Sequence, residues 1–174
     1  QSAGASNVEA MENEMLIHQL LGNHPCILTL YGYVTDPSKG TQIVMDLAPL
    51  GNLAGLLYED SSSALADIPL EMSLSWLRDI AAALSHIHAK GIKHRDVKAE
   101  NCLVFNEYRV RLCDFGLAKQ HNGKSSNSTV FNIGTEGFKA PEINLNLGSY
   151  KSSDVYSWAV TAVQIFTRHP PSRM

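Results

Sequence analysis

Three cysteines among 174 residues, Cys26, Cys102 and Cys113, are too few and too scattered for a disulfide framework. No CxxC pair or Cys/His ligand spacing accompanies them, so a zinc site is not expected either, and a reducing compartment is the expectation. Charge of one sign is equally scarce. Fourteen Lys+Arg against 17 Asp+Glu leave a formal net charge of -3 and a pI near 6.2, with no basic stripe for nucleic acid or an anionic membrane. No apolar run approaches the ~18 residues of a membrane span. Gln1-Ser2-Ala3-Gly4 lacks the charged and apolar regions of a secretory leader, and without an initiating Met the true beginning is expected upstream. What is present is ordinary: 44% hydrophobic and 18% charged residues, enough for one globular domain without internal repeats.

Helix-favouring residues over 9–21 carry a partial stripe of Met11, Met15, Leu16, Leu20 and Leu21, and Gly22-Asn23 supplies a stop. Two β-favouring runs, 27–34 and 41–47, flank a turn-rich linker and predict an antiparallel pair. A second helix is predicted over 73–89, with Leu74, Leu77, Ala81, Leu84 and His88 on one face and Gly91 at its end. Two brief strands, 102–105 and 109–112, fold about Asn106-Glu107. The polar stretch 121–129 reads as a loop. A buried helix is predicted over 153–167 from Val155, Trp158, Ala159, Ala162, Val163 and Phe166, stopped before Pro170-Pro171.

Chemistry concentrates in three ordered motifs. His94-Arg95-Asp96-Val97-Lys98-Ala99-Glu100-Asn101 is followed by Asp114-Phe115-Gly116 and then by Ala140-Pro141-Glu142. The hairpin between the first two would bring Asp96, Asn101 and Asp114 together, and oxygens of this kind are what a hard cation takes. The set resembles the catalytic loop, metal-binding loop and activation-segment end of protein kinases. That resemblance implies an α+β, bilobal kinase-like fold truncated at both ends, with 1–48 a partial N-lobe and 49–174 a partial C-lobe. It implies phosphoryl transfer from Mg2+-bound ATP to Ser or Thr hydroxyls of a protein substrate. Asp96 would orient the hydroxyl and take its proton, Lys98 would neutralise the transferring phosphoryl, and Asn101 with Asp114 would hold Mg2+. Lys98, together with Thr135 in Gly134-Thr135-Glu136-Gly137-Phe138, is similar to the Ser/Thr type. That stretch and Lys151-Ser152-Ser153-Asp154-Val155-Tyr156-Ser157-Trp158 resemble the tyrosine-kinase-like group, leucine-rich-repeat and receptor-like kinases among them. Ala99 and Glu136 stand where the family often has Pro, departures that bear on loop rigidity and peptide preference.

On the nucleotide side, Ile43-Val44-Met45-Asp46-Leu47-Ala48 resembles the last N-lobe strand entering the hinge. Met45 would be the gatekeeper, backbone groups of Asp46 and Ala48 would face adenine, Asn52 would contact ribose, and Leu103 would pack beneath the base. Glu14 falls where the family has its ion-pairing glutamate, with Glu12 a rival one alignment step away. The expected partner is missing: the chain has no G-x-G-x-x-G and no lysine before Lys39. The later C-lobe helices are also expected to be missing, leaving the apolar face of the last helix uncovered. The chain alone is therefore expected to be inactive. The alternative is a non-catalytic kinase-like binding or scaffold module.

The resemblance further implies an internal stack of His18, Leu30, Phe115 and His94, anchored by Asp154. A histidine is unusual there, because an unpartnered buried imidazole costs ~1–3 kcal/mol. Arg95 beside Asp96 resembles kinases switched on by activation-loop phosphorylation. Ser128 and Thr129 are the expected sites for an upstream kinase, with Ser125 and Ser126 behind them, unless this stretch is only a solvated loop. Asn127-Ser128-Thr129 fits a glycosylation sequon that a cytosolic domain would not use. Cys113 is expected to be buried and inert rather than reactive. The segment is expected to be cytoplasmic, touching neither nucleic acid nor membrane, though domains elsewhere could tether the parent.

Overall fold

A 20-residue helix, α1 (Ser2–Leu21), opens the chain in the computed structural model, which describes residues 2–36, 38, 40–58, 68–120 and 133–171. It starts earlier than the sequence pattern indicates, since the preceding alanines extend a helix without needing an apolar stripe. It ends at Gly22, whose left-handed φ of 63° lets its N–H reach the His18 carbonyl at 3.0 Å.

Strands β1 (Leu30–Asp36) and β2 (Gly40–Met45) form the expected antiparallel pair, with Tyr33 opposite Ile43 and Thr35 opposite Thr41. Residues 27 and 28 do not extend β1 as predicted. Together with Cys26 they pair instead with the later hairpin, through Leu28 N–H to the Leu112 carbonyl at 3.0 Å and Leu112 N–H to the Cys26 carbonyl at 2.9 Å. The cause is burial: Cys26, Ile27 and Leu28 all belong to the core, whereas β1 beyond Leu30 is largely exposed.

Helix α2 (Leu53–Tyr58), not anticipated, is one and a half turns capped by Asn52, whose Oδ1 accepts the Gly55 N–H at 2.9 Å. Helix α3 (Leu70–Ala89) passes through the core and buries Trp76, Leu77, Ile80, Ala83, Leu84 and Ile87. The face predicted from Leu74 and Ala81 is therefore rotated, and both of those residues are exposed. Trp76, the largest fully buried side chain, selects the actual face, and its Nε1 donates to the Tyr108 carbonyl at 2.8 Å.

Strands β3 (Ile92–Lys93), β4 (Cys102–Val104), β5 (Val110–Leu112) and β6 (Lys119–Gln120) form two small antiparallel pairs, β3 with β6 and β4 with β5. A 3-10 turn at Asn106–Tyr108 closes the β4–β5 hairpin. Arg109 follows it and donates to the buried Asp79 of α3 through Nε at 2.8 Å and Nη2 at 2.9 Å. Helices α4 (Pro141–Asn144) and α5 (Lys151–Thr167) complete the described fold. None of the described helices is long and apolar enough to cross a membrane.

The orientation of α5 departs in part from the prediction, since Trp158 and Ala162 pack against the core as expected but the rest of the predicted stripe does not. It buries Ser153, Asp154, Ser157, Thr161 and Gln164 along with Ile165, while Val155, Val163 and Phe166 are at least half exposed. The buried polar groups satisfy backbone of the segments packed on the helix: Ser157 Oγ donates to the Phe138 carbonyl at 2.8 Å, and Gln164 Oε1 accepts the Ala99 N–H at 3.4 Å.

Candidate active site

The loop from His94 to Asn101 leaves β3 in an unfavourable conformation, with Arg95 at a left-handed φ of 74°. Asp154 of α5 holds it there. Its Oδ2 accepts the His94 N–H at 2.9 Å, its Oδ1 accepts the Arg95 N–H at 2.8 Å, and His88 Nε2 lies 2.8 Å from Oδ2. A carboxylate only 1% exposed needs such partners, and in return it fixes the loop that carries Asp96. His94 is fully buried, its Nε2 lies 3.0 Å from the Cys113 carbonyl, and burial pushes its pKa down. It is a packed support, as expected, joining this loop to the one that begins at Asp114.

Asp96 is the convergence point. Its Oδ1 accepts the Thr135 N–H at 3.0 Å and the Thr135 hydroxyl at 2.7 Å, while Oδ2 lies 3.0 Å from Asn101 Nδ2 and 3.0 Å from Lys98 Nζ. Lys98 Nζ also donates to Thr135 Oγ1 at 2.6 Å. Burial alone would raise the Asp96 pKa, but the bonds from Thr135 and Lys98 outweigh it and hold the carboxyl below its ordinary value. Gly134 makes this closeness possible. A Cβ at that position would lie 2.8 Å from the Arg95 carbonyl oxygen, so a side chain there would push Thr135 away from Asp96.

Asn101 spends its Nδ2 on Asp96, on the carbonyl at 2.8 Å and on Oδ2, which leaves its carboxamide oxygen for a cation. The Cys113 N–H donates to the Asn101 carbonyl at 2.9 Å and brings the following Asp114 beside it. Asp114 has a left-handed φ of 62°, and its Oδ1 accepts the Gly116 N–H at 3.3 Å. Glu14 of α1 faces this loop. Its pKa is raised by burial first and then by the Asp114 charge, against the N–H of Phe115. Glu12 is exposed, so of the two only Glu14 lies against this loop. Hard oxygen donors beside a second carboxyl whose pKa the Asp114 charge helps to raise fit Mg2+ chemically, and Asn101 and Asp114 are the residues that would hold it.

Behind Asp114, Phe115 is enclosed by two imidazoles. The His18 ring lies edge-on at 4.9 Å and the His94 ring is tilted at 4.9 Å. The unusual histidine therefore does sit in the stack. Burial lowers its pKa to about 4.

The adenine-side residues lie at the junction of β2 and the segment leading to α2. Met45 is part exposed, and the Asp46 N–H is taken by the Thr29 carbonyl at 3.1 Å. The Asp46 side chain accepts the Tyr31 hydroxyl at 2.5 Å and pairs with Arg111, which lies over the Phe105 ring. The Ala48 carbonyl closes a turn to the Gly51 N–H at 3.3 Å, and Asn52 bridges to Leu103. The assignment of Asn52 needs correction in one respect. Its carboxamide oxygen is engaged as the α2 cap, so only Nδ2 remains for a ligand.

The Nε of Arg95 is buried and makes no hydrogen bond among the described residues. Lys93, whose pKa is lowered by burial and then by Arg95, stands directly opposite Lys119 across the β3–β6 pair. Ser125, Ser126, Asn127, Ser128 and Thr129 lie outside the described residues.

Sequence reasoning missed Asn13, His88 and Asp79. Asn13 Nδ2 reaches the carbonyls of Phe115 at 3.2 Å, Gly116 at 3.2 Å and Ala118 at 3.0 Å. The available signal was an asparagine, a poor helix former, inside a helix, and for Asp79 a carboxylate in the middle of an apolar one.

A family model described as the protein kinase domain matches residues 1–174. A probable serine/threonine-protein kinase of Dictyostelium discoideum is 33% identical over 95% of this chain, which spans 13% of that protein. The mitogen-activated protein kinase kinase kinase mom-4 of Caenorhabditis elegans is 31% identical over 88% of this chain, which spans 27% of it. Among solved structures, a chain of the CAK complex from Chaetomium thermophilum bound to ATP-gamma-S superposes with a TM-score of 0.81 at 23% identity, over 93% of this chain and 49% of that one. With a family match over its whole length and the fold to go with it, the chain belongs to the protein kinase domain family.

Proposed function

We propose that this chain is the central part of an ATP-dependent protein serine/threonine kinase of the tyrosine-kinase-like group, acting in the cytoplasm on Ser or Thr hydroxyls of protein substrates. The observation that carries this is the Asp96 cluster: one carboxylate held below its ordinary pKa, with Thr135, Lys98 and Asn101 all within 3.0 Å of it. Phosphoryl transfer asks mainly for positioning and fixed charge. Asp96 orients the acceptor hydroxyl and accepts its proton. Thr135 and Lys98 hold that carboxylate in place, and Lys98 also offers its cation to the transferring group. Bound Mg2+ would supply charge neutralisation on the nucleotide phosphates, held by Asn101 and Asp114. Met45, the backbone of Asp46 and Ala48, Leu103 and the Nδ2 of Asn52 form the adenine and ribose side, and Glu14 pairs with a lysine not found in these residues.

Regulation by an upstream kinase fits the same reading. The Nε of Arg95, without a hydrogen bond among the described residues and with Lys93 and Lys119 nearby, supports a role in receiving a phosphate from Ser128 or Thr129.

The test is transfer of labelled phosphate from Mg2+-ATP to Ser/Thr and Tyr peptides by the native protein. Asp96→Asn is expected to lower the rate by about 10²- to 10⁴-fold, with Ser/Thr peptides preferred. An unchanged rate overturns the assignment. Residues 1–174 alone are expected to transfer negligibly, because positioning and fixed charge on the phosphate side are missing.

One observation favours a second reading, a non-catalytic kinase-like binding module. Glu14 meets no cation among the described residues, and its carboxyl is pushed toward the neutral form. A native product that binds Mg2+-ATP without transferring phosphate would select that reading.

A further inference from the structure

A cleft of about 320 Å³ lies between α1 and β1, on the side of α1 where Met15, His18 and Gln19 project. None of the residues assigned above to phosphoryl transfer, metal or nucleotide lines it. Its volume falls at the lower end of the range in which small-molecule pockets occur.

Its chemistry is specific. No Asp, Glu, Lys or Arg contributes to the wall, so a charged ligand would lose hydration without compensation. Tyr31 and Tyr33 supply aromatic surface, and Met15 supplies a polarisable thioether suited to contact with a ring. The polar groups left over for a ligand are few. Tyr31 has its hydroxyl committed to Asp46, while the carboxamides of Gln19 and Asn23 make no hydrogen bonds among the described residues. The His18 ring is about nine-tenths buried, lines this cleft, and makes no hydrogen bond among the described residues. Among the described residues its ring contact is the edge-on packing against Phe115. With its pKa at about 4 the imidazole is neutral near pH 7, so it offers one lone pair and one N–H.

We propose that this cleft is a binding site for a neutral, planar aromatic compound carrying an adjacent donor and acceptor, as in a lactam, with His18 as its hydrogen-bonding anchor. The ligand stacks between Tyr31, Tyr33 and Met15, bonds the cleft-facing nitrogen of His18 with one of its two lactam groups, and bonds the carboxamide of Gln19 or Asn23 with the other. Because His18 packs directly on Phe115, next to Asp114, occupancy restrains the side chain beside the proposed metal ligand. The site is therefore coupled to the active site without overlapping it.

Quinolin-2-one is the probe, titrated into the 15N-labelled protein and followed by amide shifts. Saturable shifts confined to the region of Met15, Gln19, Asn23 and Leu30 to Tyr33, spreading to Phe115, are expected. N-methylquinolin-2-one, which lacks the donor, is expected to bind up to about tenfold more weakly, the worth of one hydrogen bond, and quinoline-2-carboxylate not at all. His18→Phe keeps an aromatic edge for Phe115 but removes both ring nitrogens, and is expected to weaken the lactam about tenfold. Gln19→Trp plugs the cleft from an exposed helix position without disturbing the core, and is expected to abolish binding. No saturable shift up to the solubility limit, or equal affinity for Gln19→Trp and the unaltered protein, overturns the proposal.

Discussion

Asn13 Nδ2 lies 3.0 Å from the carbonyl oxygen of Ala118, and the same carboxamide nitrogen reaches the carbonyls of Phe115 and Gly116 at 3.2 Å. One side chain of α1 thus shares two hydrogens among three backbone acceptors of the loop that begins at Asp114. Asn13→Ala leaves those carbonyls without their donor, at a cost of about 1–2 kcal/mol, partly offset by the better helix propensity of alanine, about 0.5 kcal/mol. Amide exchange over 115–120 is expected to accelerate while the α3 core amides stay protected. Unchanged exchange there would show that the loop holds itself.

His18 has its pKa lowered to about 4 by burial, against an ordinary value of 6.5. Between those values the unfolded chain binds the proton and the folded chain does not, so stability rises with pH across that window. The contribution is fully present above pH 6.5 and is lost as pH falls toward 4. The displacement corresponds to about 3–4 kcal/mol, and solvent screening from the cleft side of the ring lowers it to about 1–2 kcal/mol. His24 and His94 shift in the same direction, so the comparison that isolates His18 is with His18→Phe. The denaturation midpoint of the native protein is expected to fall relative to that of His18→Phe as the pH drops from 7 to 4.5. Parallel pH profiles would refute the assignment.

Legibility in the sequence followed the kind of signal each element carries. Asp96, Lys98 and Asn101 sit within six residues and Asp114 follows one short hairpin, so local spacing sufficed to bring them together. Thr135, 39 positions from Asp96, was legible only through the family pattern. The face of α5 was legible only in part, because periodicity weighs apolar residues, whereas this helix turns Ser157 and Gln164 inward to satisfy backbone carbonyls and amides. The α3 face was misassigned by a similar shortcut, counting Leu74 where Trp76 decides. Helix α2 and the two-residue strands β3 and β6 are shorter than any window in which periodicity can be measured.

Asp154 offers a sharper test of what holds the catalytic loop. It accepts the N–H groups of His94 and Arg95 at 2.9 and 2.8 Å and contacts His88 at 2.8 Å. Asp154→Ala removes all three partners and leaves two buried donors unpaired, with an expected loss of roughly 3 kcal/mol. Asp154→Asn, keeping a single acceptor oxygen, is expected to fall between. The readout is the urea midpoint at constant slope, since a changed slope would signal altered compactness instead. A loss below about 1 kcal/mol for the alanine variant, the typical effect of an unremarkable substitution, would mean that the left-handed Arg95 is held by something else.

Cys113 directly precedes Asp114, where a nucleophilic thiol would be conspicuous. Its pKa is instead pushed up to about 12, by burial first and then by the charges of Asp114 and Glu14. Cys26 and Cys102 are shifted upward as well, in both cases chiefly by burial. Reaction with iodoacetamide proceeds through the thiolate. Set against an ordinary value of 9.0, about three pH units separate Cys113 from a solvated thiol, so labelling at pH 7.5 is expected to be about a thousandfold slower than for free cysteine. Asp114→Asn removes one of the charges and should raise the rate modestly, leaving the larger burial contribution in place. Full denaturation should bring all three cysteines to the ordinary rate. Cys113 is only partly buried, not buried as expected from the sequence, so rapid native labelling mapped to it by mass spectrometry would contradict the acid-flanked environment and mark that position as reactive.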